Sequence, residues 1–60
     1  MPKFEIYRDT SGGWRWRLVA TNGRIVADSA EGYTTKHKAI AAAENVAYIS
    51  VVAEIEKECD

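Results

Sequence analysis

The sequence predicts an α+β fold: a three-stranded antiparallel sheet packed by one helix (β-β-β-α), with a short C-terminal fourth strand and two chains paired as a homodimer. Three observations carry this. Two N-terminal stretches alternate with period two, an Asn22-Gly23 turn joins the second to a third, and an alanine-rich stretch of helical period follows.

The first strand is read from Phe4, Ile6 and Arg8 alternating with Glu5, Tyr7 and Asp9. Asp9-Thr10-Ser11-Gly12-Gly13 is a loop of turn formers. The second strand runs from Trp14 to Ala20, with Trp14, Trp16, Leu18 and Ala20 on one face and Arg15, Arg17 and Val19 on the other. Asn22-Gly23 suits a two-residue type I′ turn, because both residues tolerate positive φ. The third strand is then Arg24 to Ser29.

Side-chain matching sets the register. A five-residue loop pairs Arg8 with Trp14, Ile6 with Trp16 and Phe4 with Leu18 on one face, and Tyr7 with Arg15 and Glu5 with Arg17 on the other. A two-residue turn pairs Ala20 with Ile25, Val19 with Val26, Leu18 with Ala27 and Arg17 with Asp28. One face then carries Phe4, Ile6, Trp16, Leu18, Ala20, Ile25 and Ala27, with Trp14 at its end. The other carries a Glu5–Arg17–Asp28 charge ladder, Tyr7 over Arg15, and the pair Val19 and Val26. A slip of one residue would scramble both faces.

Ala30 to Tyr33 connect sheet to helix, with Gly32 expected in a backbone conformation other residues avoid. Thr34 or Thr35 caps a helix from about Lys36 to about Ile49, whose stripe is Ile40, Ala43, Val46 and Ala47, with Ala39 and Ser50 at its margins. In the tail, Val51, Ala53 and Ile55 alternate with Glu54, Glu56 and Glu58. This reads as a half-buried fourth strand, the preferred reading, or as more helix, since no Gly or Pro marks a break.

At 60 residues, 47% of them hydrophobic, the chain is one domain near the lower limit for folding alone. Such domains usually need extra support: a disulfide, a metal, unusually good packing or a partner subunit. Cys59 is the only cysteine and is read as an exposed, reduced thiol; with His37, the only histidine, it cannot build a zinc site. No cofactor or metal is expected. Of the remaining supports a partner subunit fits best, and the two-fold interface is assigned to Trp14, Leu18, Ile25, Val51, Ala53 and Ile55, because one alanine-rich helix is too thin to cover the apolar sheet face. The tail strand would pair with the partner's sheet edge.

The net charge of −1 gives no general attraction to nucleic acid or membrane. No apolar run is long enough to span a bilayer, and Met1-Pro2-Lys3-Phe4 leads straight into a strand pattern, so a cytoplasmic protein is expected.

Phe4-Glu5-Ile6-Tyr7-Arg8-Asp9, Gly13-Trp14-Arg15-Trp16-Arg17-Leu18, Asn22-Gly23, Glu31-Gly32-Tyr33-Thr34, Lys36 and Lys38-Ala39-Ile40 together resemble the YegP-like family of small bacterial and archaeal domains of unknown function. The resemblance covers about Phe4 to Val46. It implies a β-β-β-α unit with a short C-terminal strand, occurring as single units that pair into homodimers or as two tandem units. It brings no reaction, cofactor or catalytic residues. This chain has Ala47-Tyr48-Ile49-Ser50 where members commonly have an Asn/Pro/Gly-type break.

No catalytic constellation is present. His37 stands between Lys36 and Lys38 with no orienting carboxylate, and Glu5 and Asp28 already have Arg17 as a partner. Gly12-Gly13 and Gly23 sit between strands, not between a strand and a helix as phosphate loops do. The leading expectation is a non-enzymatic homodimeric interaction module. Two alternatives stand beside it. One is a nucleic-acid or regulatory binder using the face of Glu5, Tyr7, Arg15, Arg17 and Asp28, where aromatic and arginine residues interleave. The other is a small-ligand binder at the dimer seam near Trp14 and Tyr33.

Overall fold

The structure, a computed structural model, describes residues 1–57. The role assigned to Cys59 lies outside them. Three strands, β1 (Lys3–Arg8), β2 (Trp14–Val19) and β3 (Ile25–Asp28), precede one helix, α1 (Lys36–Val52). The sheet order is β1-β2-β3, antiparallel throughout.

The first hairpin has the expected register: Phe4 faces Leu18, Glu5 faces Arg17, Ile6 faces Trp16, Tyr7 faces Arg15 and Arg8 faces Trp14. Its loop closes when Gly12 N–H donates to the Asp9 carbonyl at 3.1 Å and Asp9 N–H donates to the Gly13 carbonyl at 2.8 Å. Gly12 takes φ +89°, open to glycine at no steric penalty.

The second hairpin departs from expectation. Its turn is not type I′, because Asn22 keeps a negative φ and only Gly23 is positive, at +88°. Gly23 N–H donates to the Ala20 carbonyl at 2.9 Å and Ala20 N–H to the Arg24 carbonyl at 2.8 Å. Thr21, Asn22 and Gly23 therefore form a three-residue loop that repeats the closure of the first. Val19 now faces Ile25, and a bulge between Leu18 and Val19 restores Leu18 opposite Ala27 and Arg17 opposite Asp28. The predicted pairs Ala20–Ile25 and Val19–Val26 do not form. Ile25 consequently lies on the face of Val19 and Arg17, away from Trp16.

Beyond Asp28 the chain bends but keeps hold of β2. Ser29 N–H donates to the Trp16 carbonyl at 2.9 Å, while Trp16 N–H donates to the Ser29 hydroxyl at 3.2 Å. A side-chain oxygen thus replaces a ladder carbonyl, and Ser29 is buried. After a short excursion, Tyr33 and Trp14 exchange two backbone hydrogen bonds, at 2.7 and 2.8 Å. Ser29→Ala leaves the Trp16 amide buried without an acceptor. It should cost about 1–3 kcal/mol, or a melting midpoint lower by roughly 5–20 °C. Ser29→Thr, which keeps the accepting hydroxyl, should retain most of the stability, and urea or thermal denaturation of the pair checks this.

Thr35 caps α1, its hydroxyl accepting from Lys38 N–H at 3.1 Å. Ala39 and Ala43 are buried, with Ile40, Ala42 and Val46 half-buried beside them. The small alanines let the helix lie close to β2 and β1, where Trp16 is 7% exposed and packs edge-on against Phe4 at 5.5 Å between ring centres. Ala47, expected on the packed stripe, is exposed.

The expected fourth strand is absent from the described residues. Val51 and Val52 belong to α1, and the helix ends at Ala53, whose N–H donates to the Ile49 carbonyl at 2.9 Å. Nothing in Ala47-Tyr48-Ile49-Ser50 stops a helix, and one β-branched pair does not outweigh the hydrogen bonds gained by continuing it. From Ala47 onward every described residue is exposed.

Candidate functional site

The sheet face away from α1 carries Glu5, Tyr7, Arg15 and Arg17, as expected, together with Asp9 from the first loop. Asp9 is its structural centre. Its carboxylate accepts from the Gly13 amide at 2.8 Å, the Ser11 amide at 3.0 Å and the Ser11 hydroxyl at 2.9 Å, and from Arg15 Nε at 2.6 Å. Its side chain is only 15% exposed. The Arg15 guanidinium and then the Ser11 hydroxyl hold this carboxyl well below the usual carboxylate range, and Asp9 in turn raises Arg15.

Gly32 explains the crowding around it. Its φ is not positive, contrary to expectation. A Cβ on Gly32 would instead lie 3.4 Å from both the Asp9 carboxylate and the Gly13 Cα. Gly13 and Gly32 are needed for close backbone approach, so that the loop after β3 can pack over Asp9.

Arg17 pairs with Glu5 at 2.7 Å, and Lys3 joins Glu5 at 3.4 Å. Arg17, as hydrogen-bond donor, is the main reason the Glu5 carboxyl titrates below its usual value. The same guanidinium lies 4.6 Å from the Tyr7 ring centre. Arg17, not Arg15, stacks on Tyr7, because Asp9 has claimed Arg15. Asp28 faces Arg17 but forms no ion pair among the described residues, so the predicted ladder has two members. A shallow open concavity of about 480 Å³ on this face is lined by Lys3, Glu5, Arg17, Val19 and Ile25, among others.

Both arginines of the face are thus engaged within the chain, which leaves them poor donors to an outside phosphate. His37 is exposed at the start of α1. Among the described residues no cluster of His, Cys, Asp and Glu suited to a metal occurs, and no helix is long and apolar enough to cross a membrane.

The residues assigned to the interface do not form one surface. Ile25 is on the face opposite Trp14 and Leu18. Trp14 lies beside Lys36 at the start of α1, whereas Val51 is fifteen residues further on, about 22 Å along a helix. Val51, Ala53 and Ile55 do cluster, and Tyr48, Ile49 and Val52 join them as exposed apolar residues. Tyr48 and Ile49 fall within the expected helix but off its apolar stripe, and Val52 falls outside the alternation of the tail, so neither pattern singles them out.

Residues 9–56 match the model of a domain of unknown function, DUF1508. A UPF0339 protein of Neisseria meningitidis serogroup B is 58% identical over 33 residues, covering 55% of this chain and 57% of that protein, so the match spans little more than half of the relative. The UPF0339 protein Atu0232 of Agrobacterium fabrum is 48% identical over 46 residues, covering 77% of this chain and 73% of the relative. Among solved structures, an NMR structure of a protein from Haloferax volcanii superposes with a TM-score of 0.83 at 40% identity, over 95% of both chains. The NMR structure of ATU0232 from Agrobacterium tumefaciens gives 0.76 at 42% identity, over 95% of this chain and 90% of that one. With the β-β-β-α unit and the quoted motifs, these matches place the chain in the YegP-like family of small domains of unknown function, DUF1508 or UPF0339.

Proposed function

We propose that the protein is a homodimeric, non-enzymatic interaction module whose helix end and tail form the contact between copies. The observation that carries this is surface area. The chain exposes 5113 Å², against about 3,900 Å² for a compact monomer of its 6.7 kDa. The excess, about 1,200 Å², exceeds the roughly 800 Å² that one partner contributes to a standard interface. The radius of gyration, 13.2 Å, is likewise above the ~10 Å of a compact chain this long.

Apolar exposure is greatest at the helix end and tail: Val51 is 82% and Ile55 85% exposed, with Tyr48, Ile49 and Val52 nearby, while among the described residues no large side chain is fully buried. A second copy is the occupant these features favour. Ala53 is already extended (φ −71°, ψ 139°), and Ala53 and Ile55 alternate with Glu54 and Glu56. A segment of that pattern suits addition to a sheet edge. β1 is the straight free edge, because β3 is short and carries the bulge.

Sedimentation equilibrium of reduced protein tests the proposal. A mass twice 6.7 kDa should persist on dilution. Ile55→Asp should weaken association by about 100-fold or more, since it removes a buried aliphatic side chain and places a charge in an apolar contact. Trp14→Ala, about 22 Å from the tail, should leave the mass unchanged. A wild-type monomer over the whole concentration range would end the proposal.

A further inference from the structure

The charges around α1 run against its dipole. Lys36, His37 and Lys38 open the helix with no acidic residue in the first turn, and the last turn has no basic one. Glu54 and Glu56 follow its C-terminal end. Helices favour the reverse order. Where a small domain breaks a local rule without a folding gain, function is the first place to look.

Three elements meet at the basic end. Arg8 closes β1, Trp14 opens β2 and Lys36 opens α1. The Arg8 guanidinium lies 5.5 Å and the Lys36 ammonium 5.8 Å from the Trp14 ring centre. These distances approach the outer limit for such contacts, so both cations sit loosely against the indole. Trp14 is half-exposed, and Arg8 and Lys36 are exposed.

Neither cation has an ion-pair partner among the described residues, because Asp9 is taken by Arg15 and Glu5 by Arg17 and Lys3. Arg8 uses Nε to hold the Gly12 carbonyl at 3.3 Å, which steadies the guanidinium. Its terminal nitrogens have no hydrogen-bond partner among the described residues. Covering a tryptophan rim requires no charge at all. Two uncompensated cations at one indole are explained by an anion that comes from outside.

We propose that Arg8, Trp14 and Lys36 form a binding site for a nucleotide unit, with the base stacked on the exposed part of the indole and the phosphate held between guanidinium and ammonium. The arginine fork matches phosphate oxygens, and an aromatic face accepts any base. The unit comes either from a free nucleotide or from a single-stranded nucleic acid. This site is separate from the helix tail and does not depend on dimer formation.

Tryptophan fluorescence reads the site directly, since Trp14 is accessible and Trp16 is a buried internal reference. The full chain is titrated at low ionic strength with adenosine 5′-monophosphate and, separately, with oligothymidylates of increasing length. Saturable quenching is expected. Arg8→Gln and Lys36→Gln should each weaken it about 5–10-fold while the protein stays folded, and Lys36→Gln should if anything raise the melting midpoint, as expected for loss of one charge-assisted phosphate contact and relief of the dipole. Quenching by the mononucleotide equal to that of any oligomer identifies a free nucleotide. Affinity that rises with length, with a log–log salt slope of about −0.7 for the one phosphate held, identifies single-stranded nucleic acid. No quenching by either probe, or quenching unaltered in both variants, overturns the site.

Discussion

Trp16→Ala is expected to remove most or all of the stability of the fold. Among the described residues Trp16 is the only large side chain that is apolar and buried, the others being Val19, Ala39 and Ala43. Truncating a buried tryptophan typically costs about 3–5 kcal/mol through lost burial and the cavity left behind. A domain of this length has about 3–9 kcal/mol to lose. The nearby alanines cannot collapse into the space, and Phe4 loses the ring edge it packs against. Thermal unfolding at a fixed protein concentration checks this, the concentration being held because assembly raises apparent stability. Trp16→Phe should cost much less than Trp16→Ala. The indole N–H is buried with no hydrogen-bond partner among the described residues, so phenylalanine gives up volume but also removes an unpaired donor. Equal losses in the two variants would mean that the part of the indole that phenylalanine lacks, and not the phenyl-sized part, carries the contribution.

Which parts of this fold could be read from residues alone follows from the range of the interactions involved. The first hairpin was legible because each pair in its register is checked by a neighbour of opposite charge or matching apolarity, Glu5 with Arg17 and Ile6 with Trp16. The second hairpin was legible only at its far end. Asn22-Gly23 serves a two-residue turn and a three-residue one equally well, because both place a glycine at positive φ. The bulge then absorbs the extra residue, so Arg17–Asp28 came out right while Val19 and Ile25 did not. The tail depended on a balance between β-branching and the absence of a stop signal, two weak local effects, and the helix prevailed through Val52.

The candidate sites divide in the same way. Glu5 and Arg17 are cross-strand neighbours, so alternation found them. Asp9 looked like an ordinary turn former. Its importance comes from Gly32, 23 positions away, whose lack of a side chain lets the later loop close over the carboxylate. Arg8 and Lys36 belong to different elements that meet only once α1 has crossed back over β2. The arginines that follow Trp14 in the sequence, Arg15 and Arg17, have acidic partners close at hand in Asp9 and Glu5.

Asp9 should make the fold sensitive to acid. Its carboxylate receives hydrogen bonds from Ser11, Gly13 and Arg15, all of which favour the charged form, so its folded pKa lies below the unfolded value of about 3.9. A group with a depressed folded pKa stabilises the fold at pH values above its unfolded pKa, and that contribution is lost as pH falls through the folded pKa. Stability should therefore be flat with respect to this group above about pH 4.5 and decline progressively below about pH 4. Asp9→Asn keeps the shape but gives up the charge that Arg15 and the loop amides face. It should lower the midpoint at neutral pH and flatten the acid limb, since the titrating group is gone. Glu5→Gln is the control: the Glu5 carboxyl is also depressed, through Arg17, but is more exposed and lies in a pair whose strength solvent reduces. Its effect at neutral pH should be clearly smaller than that of Asp9→Asn. Urea midpoints for the three proteins between pH 2 and 7 decide the matter. If the Asp9→Asn acid limb is as steep as the wild type's, the acid sensitivity arises elsewhere, and the loop bonds around Asp9 act through geometry and not through charge.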